Sequence, residues 1–202
     1  MKRDPKLVID GYSIPGGVGR IAVAAAVDLI KRNPGVRQTE VQKRAIRFSG
    51  LNASTAGWIT SPNKGPTGHL WVRRGSPFRC FPNEGTEQFN IDPLAAAISY
   101  TKASFADDLQ KSGLAAKPGD IVQISSHHVY HVQGPFLFLG YSFHLRHRLS
   151  TVATGQLFTD PSRLDDPGLY GGGVPIVYAV GIFDGKQVTW PLSWIRAQPL
   201  GA

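Results

Sequence analysis

The sequence predicts an α+β protein in two parts, a helical first half closed by a hairpin and a mainly antiparallel, β-rich second half. Three observations carry this. Apolar residues recur at helical spacing between Val18 and Ile59, but in short strand-length runs after Lys117. Turn-forming pairs such as Gly134-Pro135, Asp160-Pro161 and Asp184-Gly185 punctuate those runs. Charge divides the same way: residues 1–91 hold 14 Lys+Arg against 6 Asp+Glu, residues 92–202 hold 8 of each, and the chain carries +8.

With 202 residues, 42% of them hydrophobic and 18% charged, the chain can bury one large or two small cores and is not of disordered composition. A single cysteine excludes an intrachain disulfide framework and fits a reducing compartment. No apolar run reaches the roughly 20 residues of a membrane helix, and M-K-R-D-P-K-L lacks the apolar core of a signal peptide. The expectation is a cytoplasmic protein with no membrane partner.

Leu7-Val8-Ile9, between Pro5 and Gly11, is a short strand or ordered arm. Ser13 to Gly17 is a turn, and G-G-V-G-R lacks the Lys-Ser/Thr ending of a phosphate loop. Val18 to Arg32 is an alanine-rich helix with Ile21, Val23, Val27 and Ile30 for the core; Asn33-Pro34-Gly35 stops it. Gln38 and Thr39 are the expected caps of a second helix, with Glu40 suited to its positive end. Val41, Ala45 and Phe48 form its apolar stripe, leaving Gln42, Lys43, Arg44 and Arg47 for solvent or a partner. Gly50 supplies the positive φ of a tight turn, and Asn52 is a good cap for a third helix with Ala56 and Ile59 inward. Pro62 to Gly68 cannot continue that helix, and Leu70–Arg74 and Phe78–Phe81 read as strands around Gly75-Ser76-Pro77.

Residues 18 to 82, taken in this order, resemble the winged-helix family of DNA-binding proteins: a helix-turn-helix followed by a β-hairpin wing. The run G-L-N-A-S-T-A-G-W-I from Gly50 is similar to the Gly-Leu-Ser-x-x-Thr-Val-x-x-Leu run of helix-turn-helix proteins. Glu40 to Gly50 is about one helical turn longer than usual, so the first helix is extended or the turn wider. The resemblance implies double-stranded DNA as partner and Lys43, Arg44, Arg47, Asn52, Ser54, Thr55, Lys64, Arg73, Arg74 and Arg79 as its contacts. The reading helix holds no Arg, Lys or Gln for bidentate base contacts, and Trp58 is expected to pack against the wing.

Asn83 to Asn90 is a polar connector, and Asp92-Pro93 starts a helical segment over residues 92–113. Leu94–Tyr100 and Ser104–Lys111 are two candidate helices there, joining the halves or forming a homodimer contact. The expected division is 1–91, 92–113 and 114–202. In the last part Ile121–Ile124, Val129–Val132, Phe136–Leu145, Gln156–Phe158, Ile176–Phe183 and Gln187–Trp190 are strand candidates in a curled sheet or small barrel.

Three chemistries are conceivable in that part. His127, His131 and His144 are candidate metal ligands, although no cysteine or glutamate pair completes a known spacing. Asp166 (or Asp165) ahead of a strand that runs into Asp184-Gly185-Lys186 resembles a PD-(D/E)xK nuclease, which would use Mg²⁺. Asp-Gly between apolar runs is equally a hairpin turn. Cys80 with His128 or His131 would make a thiol pair, but Cys80 reads as mid-strand, away from any helix end that would lower its pKa. The leading expectation is a DNA-binding transcriptional regulator of a bacterium or mobile element, without a cofactor; the alternative is a small metal-dependent restriction-type endonuclease.

Overall fold

The computed structural model describes residues 6–9, 11–61, 65–126, 131–145, 156–170 and 173–198. The chain divides into two units, Met1–Tyr100 with Pro167–Val174, and Thr101–Asp166 with Pro175–Ala202. Helices and antiparallel sheets are both present, as an α+β chain requires. Among the described residues no helix is long and apolar enough to cross a membrane.

In the first unit β1 (Leu7–Ile9) and β2 (Tyr12–Ile14) pair as a hairpin, ahead of α1 (Gly17–Arg32). Ala22, Ala24, Ala25 and Ala26 of α1 are fully buried, and such short side chains let α2 (Gln38–Ser49) and α3 (Ala53–Ile59) lie close. Ile21, Val23, Val27 and Ile30 add the larger buried surface, each worth roughly 1.5–3 kcal/mol. Between α1 and α2 runs β3 (Val36–Arg37); after α3 come β4 (Trp71–Arg74) and β5 (Arg79–Pro82). The three strands form an antiparallel sheet in the order β3-β5-β4, so the first strand pairs with the last. Ile14, Val41, Ile59, Leu70, Trp71, Cys80 and Phe89 close the core between sheet and helices.

Three local expectations are corrected here. Gln38 and Thr39 do not cap α2. The N-cap residue is Arg37, whose side chain makes no cap bond, because the chain passes straight from β3 into the helix. The N–H of Gln38 donates instead to the Phe78 carbonyl at 3.0 Å, so the hairpin serves the helix start. Within the polar connector lies a short helix α4 (Glu84–Gln88), held by a reciprocal Asn83–Thr86 capping box. The two helices expected over 94–111 are one, α5 (Pro93–Ser112), since Thr101-Lys102-Ala103 contains nothing that breaks a helix. Its start is the predicted one, with Asp92 Oδ1 accepting from Leu94 N at 2.7 Å and Ala95 N at 3.2 Å.

In the second unit β6 (Ile121–Ser126), β7 (Gln133–Leu145), β8 (Pro175–Phe183), β9 (Lys186–Pro191) and β10 (Ile195–Gln198) form one antiparallel sheet, in the order β10-β6-β7-β8-β9. The edge strands β9 and β10 are joined only by the 3₁₀ turn Leu192–Trp194. A flat five-stranded sheet would hold its edges roughly 19 Å apart, whereas that link reaches about 14 Å at full stretch. The sheet is therefore curled. Phe136, Phe138, Tyr141, Val177, Ala179 and Ile195 fill it. Gly181 is required there, since a Cβ would sit 2.3 Å from the Phe136 ring and 2.4 Å from the Leu137 carbonyl.

Two strand candidates fall short. Val129 and Tyr130 lie outside the described residues, while His131 (φ 44°) and Val132 precede β7 without joining it. Of Gln156–Phe158 only Phe158 pairs, exchanging bonds of 2.7 and 2.8 Å with Tyr141. β10 was not foreseen, because Ile-Arg-Ala-Gln is short and half polar.

Candidate nucleic-acid interface

The joint between α2 and α3 is fixed by short-range bonds. Gly50 takes φ 69° and donates its N–H to Ile46 O at 2.8 Å; Ser49 Oγ donates to Ala45 O at 2.7 Å and accepts from Leu51 N at 3.2 Å. Asn52 Oδ1 accepts the Thr55 N–H at 2.8 Å, the cap its position predicts. The side-chain oxygen of Asn52 is thus committed to the helix. Ala56 and Ile59 turn inward, while Asn52, Ala53 and Ser54 are exposed and Thr55 and Gly57 half-buried. Trp58 is 57% exposed, so it does not pack under the hairpin as expected. Trp71, on strand β4 of the hairpin itself, is buried in the core at 1% exposure.

The β3-β5-β4 sheet carries four arginines, Arg37, Arg73, Arg74 and Arg79. Arg79 on the central strand is the Cα partner of Arg37 on β3 and of Arg74 on β4. Residues directly opposite in antiparallel strands share a face, so the three arginines form one row across the sheet. All three are exposed, and among the described residues none is in an ion pair. Arg79 Nη1 donates to Gly35 O at 3.0 Å, and the Arg74 guanidinium lies 5.5 Å from the Phe81 ring centre. Like charges set opposite one another on a sheet destabilise it. Such a row is favourable when an anion lies along it.

Arg73 has different work. Its guanidinium sits 3.9 Å over the Phe78 ring, and Nη1 donates to Gln38 Oε1 at 2.9 Å, tying the hairpin to the start of α2. Phe78 remains half exposed beside the hairpin turn. On α2, Lys43 and Arg47 are exposed, with Lys43 paired to Glu40 at 3.1 Å. Arg44 sits about 200° round the helix from Gln42. It turns to α1, with Asp28 at 3.7 Å and the Phe48 ring at 4.8 Å. It lines a cleft of about 500 Å³ with Lys31, Arg32, Phe89 and Asn90, where Lys31 Nζ donates to Phe89 O and Asn90 Oδ1, both at 3.0 Å. Gln42 lies on the other flank, its amide nitrogen 3.8 Å from where a Cβ on Gly57 would be. Lys64 lies outside the described residues.

The catalytic and metal candidates of the second unit are placed differently. Asp166 is ion-paired with Arg163, and Asp165 with Lys102 at 2.9 Å. Asp184 (φ 49°) and Gly185 (φ 69°) are the two central residues of the β8–β9 hairpin, and Lys186 opens β9 on its exposed side. His144 is buried in β7 with its ring edge-on to Tyr178, centroids 5.2 Å apart, whereas His131 is exposed before that strand. His127 lies outside the described residues. Among the described residues no three His, Cys, Asp or Glu side chains converge as a metal site would need.

Cys80 is buried beneath the arginine row. Burial pushes its thiol up to about 11, against a smaller downward pull from Arg73. A thiol so held is a packing group and a poor nucleophile. Arg37 escaped the sequence reading because its importance lies in cross-strand register, which a two-residue strand does not announce. Trp58 was expected against the wing because a large aromatic side chain is ordinarily packed, whereas it stands 57% exposed. No family model, curated protein or solved structure matches the chain.

Proposed function

We propose that the chain binds double-stranded DNA through its first unit, used as a winged helix, and acts as a transcriptional regulator. The observation that carries the reading is the row Arg37–Arg79–Arg74, three guanidinium groups on one sheet face with no ion pair among the described residues. A phosphate backbone is the extended anion that such a row fits. The element order supports it: helix, strand, helix, helix and a hairpin whose last strand pairs with the first is the winged-helix arrangement. So does the location of the whole net charge of +8 in residues 1–91. The nuclease alternative draws no comparable support, since Asp165 and Asp166 are each paired with a cation and Asp184 is a turn residue.

The test is duplex binding by fluorescence anisotropy over a series of salt concentrations. Affinity is expected to fall linearly on a log–log plot, with a slope set by the phosphates neutralised, and to fall less steeply in an Arg37→Ala/Arg74→Ala/Arg79→Ala variant. Binding that ignores salt overturns the reading. Mg²⁺-dependent cutting of plasmid DNA by the wild type would replace it with the nuclease.

A further inference from the structure

The surface of α3 lacks the groups with which proteins usually read bases. Asn52 spends its oxygen on the Thr55 N–H, Ser54 and Thr55 offer single hydroxyl contacts, and there is no Arg, Lys or Gln between Ala53 and Ile59. The one large side chain it presents is the indole of Trp58, 57% exposed. One turn before it, on the same face, stands Ser54. Beside it is Gly57, and its lack of a side chain is not enforced by packing. A Cβ there would meet nothing nearer than the Gln42 amide nitrogen at 3.8 Å. Glycine inside a helix is unfavourable relative to alanine. It leaves an open shelf next to the indole.

Resting on the DNA-binding reading above, we infer that Trp58, with the shelf at Gly57, reads C5-methyl groups of pyrimidines in the major groove. The groove admits a helix, and the only apolar group the four bases display there is the thymine C5-methyl; 5-methylcytosine displays the same group at the same position. A helix face whose large group is an exposed indole, with only single hydroxyls beside it, fits that methyl and offers no bidentate match to a donor–acceptor pattern. The net positive charge of residues 1–91 favours a duplex, rather than an apolar partner, as what meets this part of the chain. Specificity then follows methylated pyrimidines without bidentate hydrogen bonds.

The experiment compares alternating poly(dA-dT) with alternating poly(dA-dU), which differ only in the C5-methyl, and poly(dG-dC) with its 5-methylcytosine form. Wild type is expected to bind each methylated polymer more tightly, by roughly fourfold for each methyl group covered. Trp58→Ala should bind both members of a pair alike, while Trp58→Phe keeps part of the difference. An unchanged melting temperature shows that the variants fold. Salt-dependent binding with equal affinity for thymine and uracil duplexes overturns the methyl reading alone. No duplex binding at low salt overturns the DNA reading with it. A Trp58→Ala variant that loses a dimer by sedimentation, with no methyl preference in the wild type, assigns the indole to a second copy of the chain.

Discussion

Arg37 and Arg79 oppose each other as Cα partners across β3 and β5, and among the described residues no carboxylate pairs with either. Their repulsion weakens the sheet of the free protein and is screened by salt. Arg37→Gln is therefore expected to keep or slightly raise stability, by up to about 0.5 kcal/mol. The wild-type melting temperature should climb with ionic strength and that of the variant climb less. Duplex affinity should drop by roughly 1–2 kcal/mol, the size of a lost charge-assisted contact. Parallel salt curves for the two proteins would mean the guanidinium groups do not feel each other.

Asn52→Ala removes the oxygen that holds the Thr55 N–H and is expected to cost about 1 kcal/mol. Asn52→Asp should be neutral or mildly stabilising, because a carboxylate caps as well and favours the positive helix end. Urea denaturation measures both. Equal losses in the two variants would place the value of Asn52 outside the cap.

Much of the first unit was legible in the sequence because its signals are local. The stop at Asn33-Pro34-Gly35, the left-handed Gly50, the Asn52 cap and the two hairpin strands each depend on a few neighbouring residues, and each stands where it was expected. What was not legible depends on pairing at a distance. The start of α2 is satisfied by Phe78, 40 positions on, so no cap residue marks it. The arginine row exists only through register, and β10 is a strand because β6 lies beside it. Arg44 was grouped with Lys43 and Arg47 by charge, whereas helix geometry turns it to Asp28.

The β8–β9 hairpin separates a turn from a catalytic carboxylate. Asp184 and Gly185 both have positive φ, which Asn and Gly adopt readily. Asp184→Asn should change stability by less than about 0.5 kcal/mol. Gly185→Ala should cost roughly 1–2 kcal/mol from backbone conformation alone, as nothing lies within 4 Å of the added Cβ. Thermal melts check both. Loss of a Mg²⁺-dependent cutting activity in a stable Asp184→Asn variant would give the carboxylate a chemical role.

The buried thiol of Cys80 sets a pH dependence whose sign can be worked out. Its ordinary value is 9.0 and burial raises it to about 11 in the native protein. Between those values the unfolded chain has released the proton and the native one has not, so the unfolded state gains and stability falls as pH rises. Below pH 9 the contribution is fully present, and above about 11 nothing further is lost. Two units correspond to about 2–3 kcal/mol as an upper figure. Tyr141 and Tyr178, also raised by burial, act with the same sign, so wild type alone cannot isolate the thiol. The comparison is with Cys80→Ala, which costs a constant amount for the lost sulfur but removes the slope. Urea denaturation of both proteins from pH 8 to 11 should show the stability gap narrowing as pH rises. A constant gap across that range, or rapid labelling of the native protein by iodoacetamide at pH 8, would mean the thiol is not held in the apolar site beneath the arginine row.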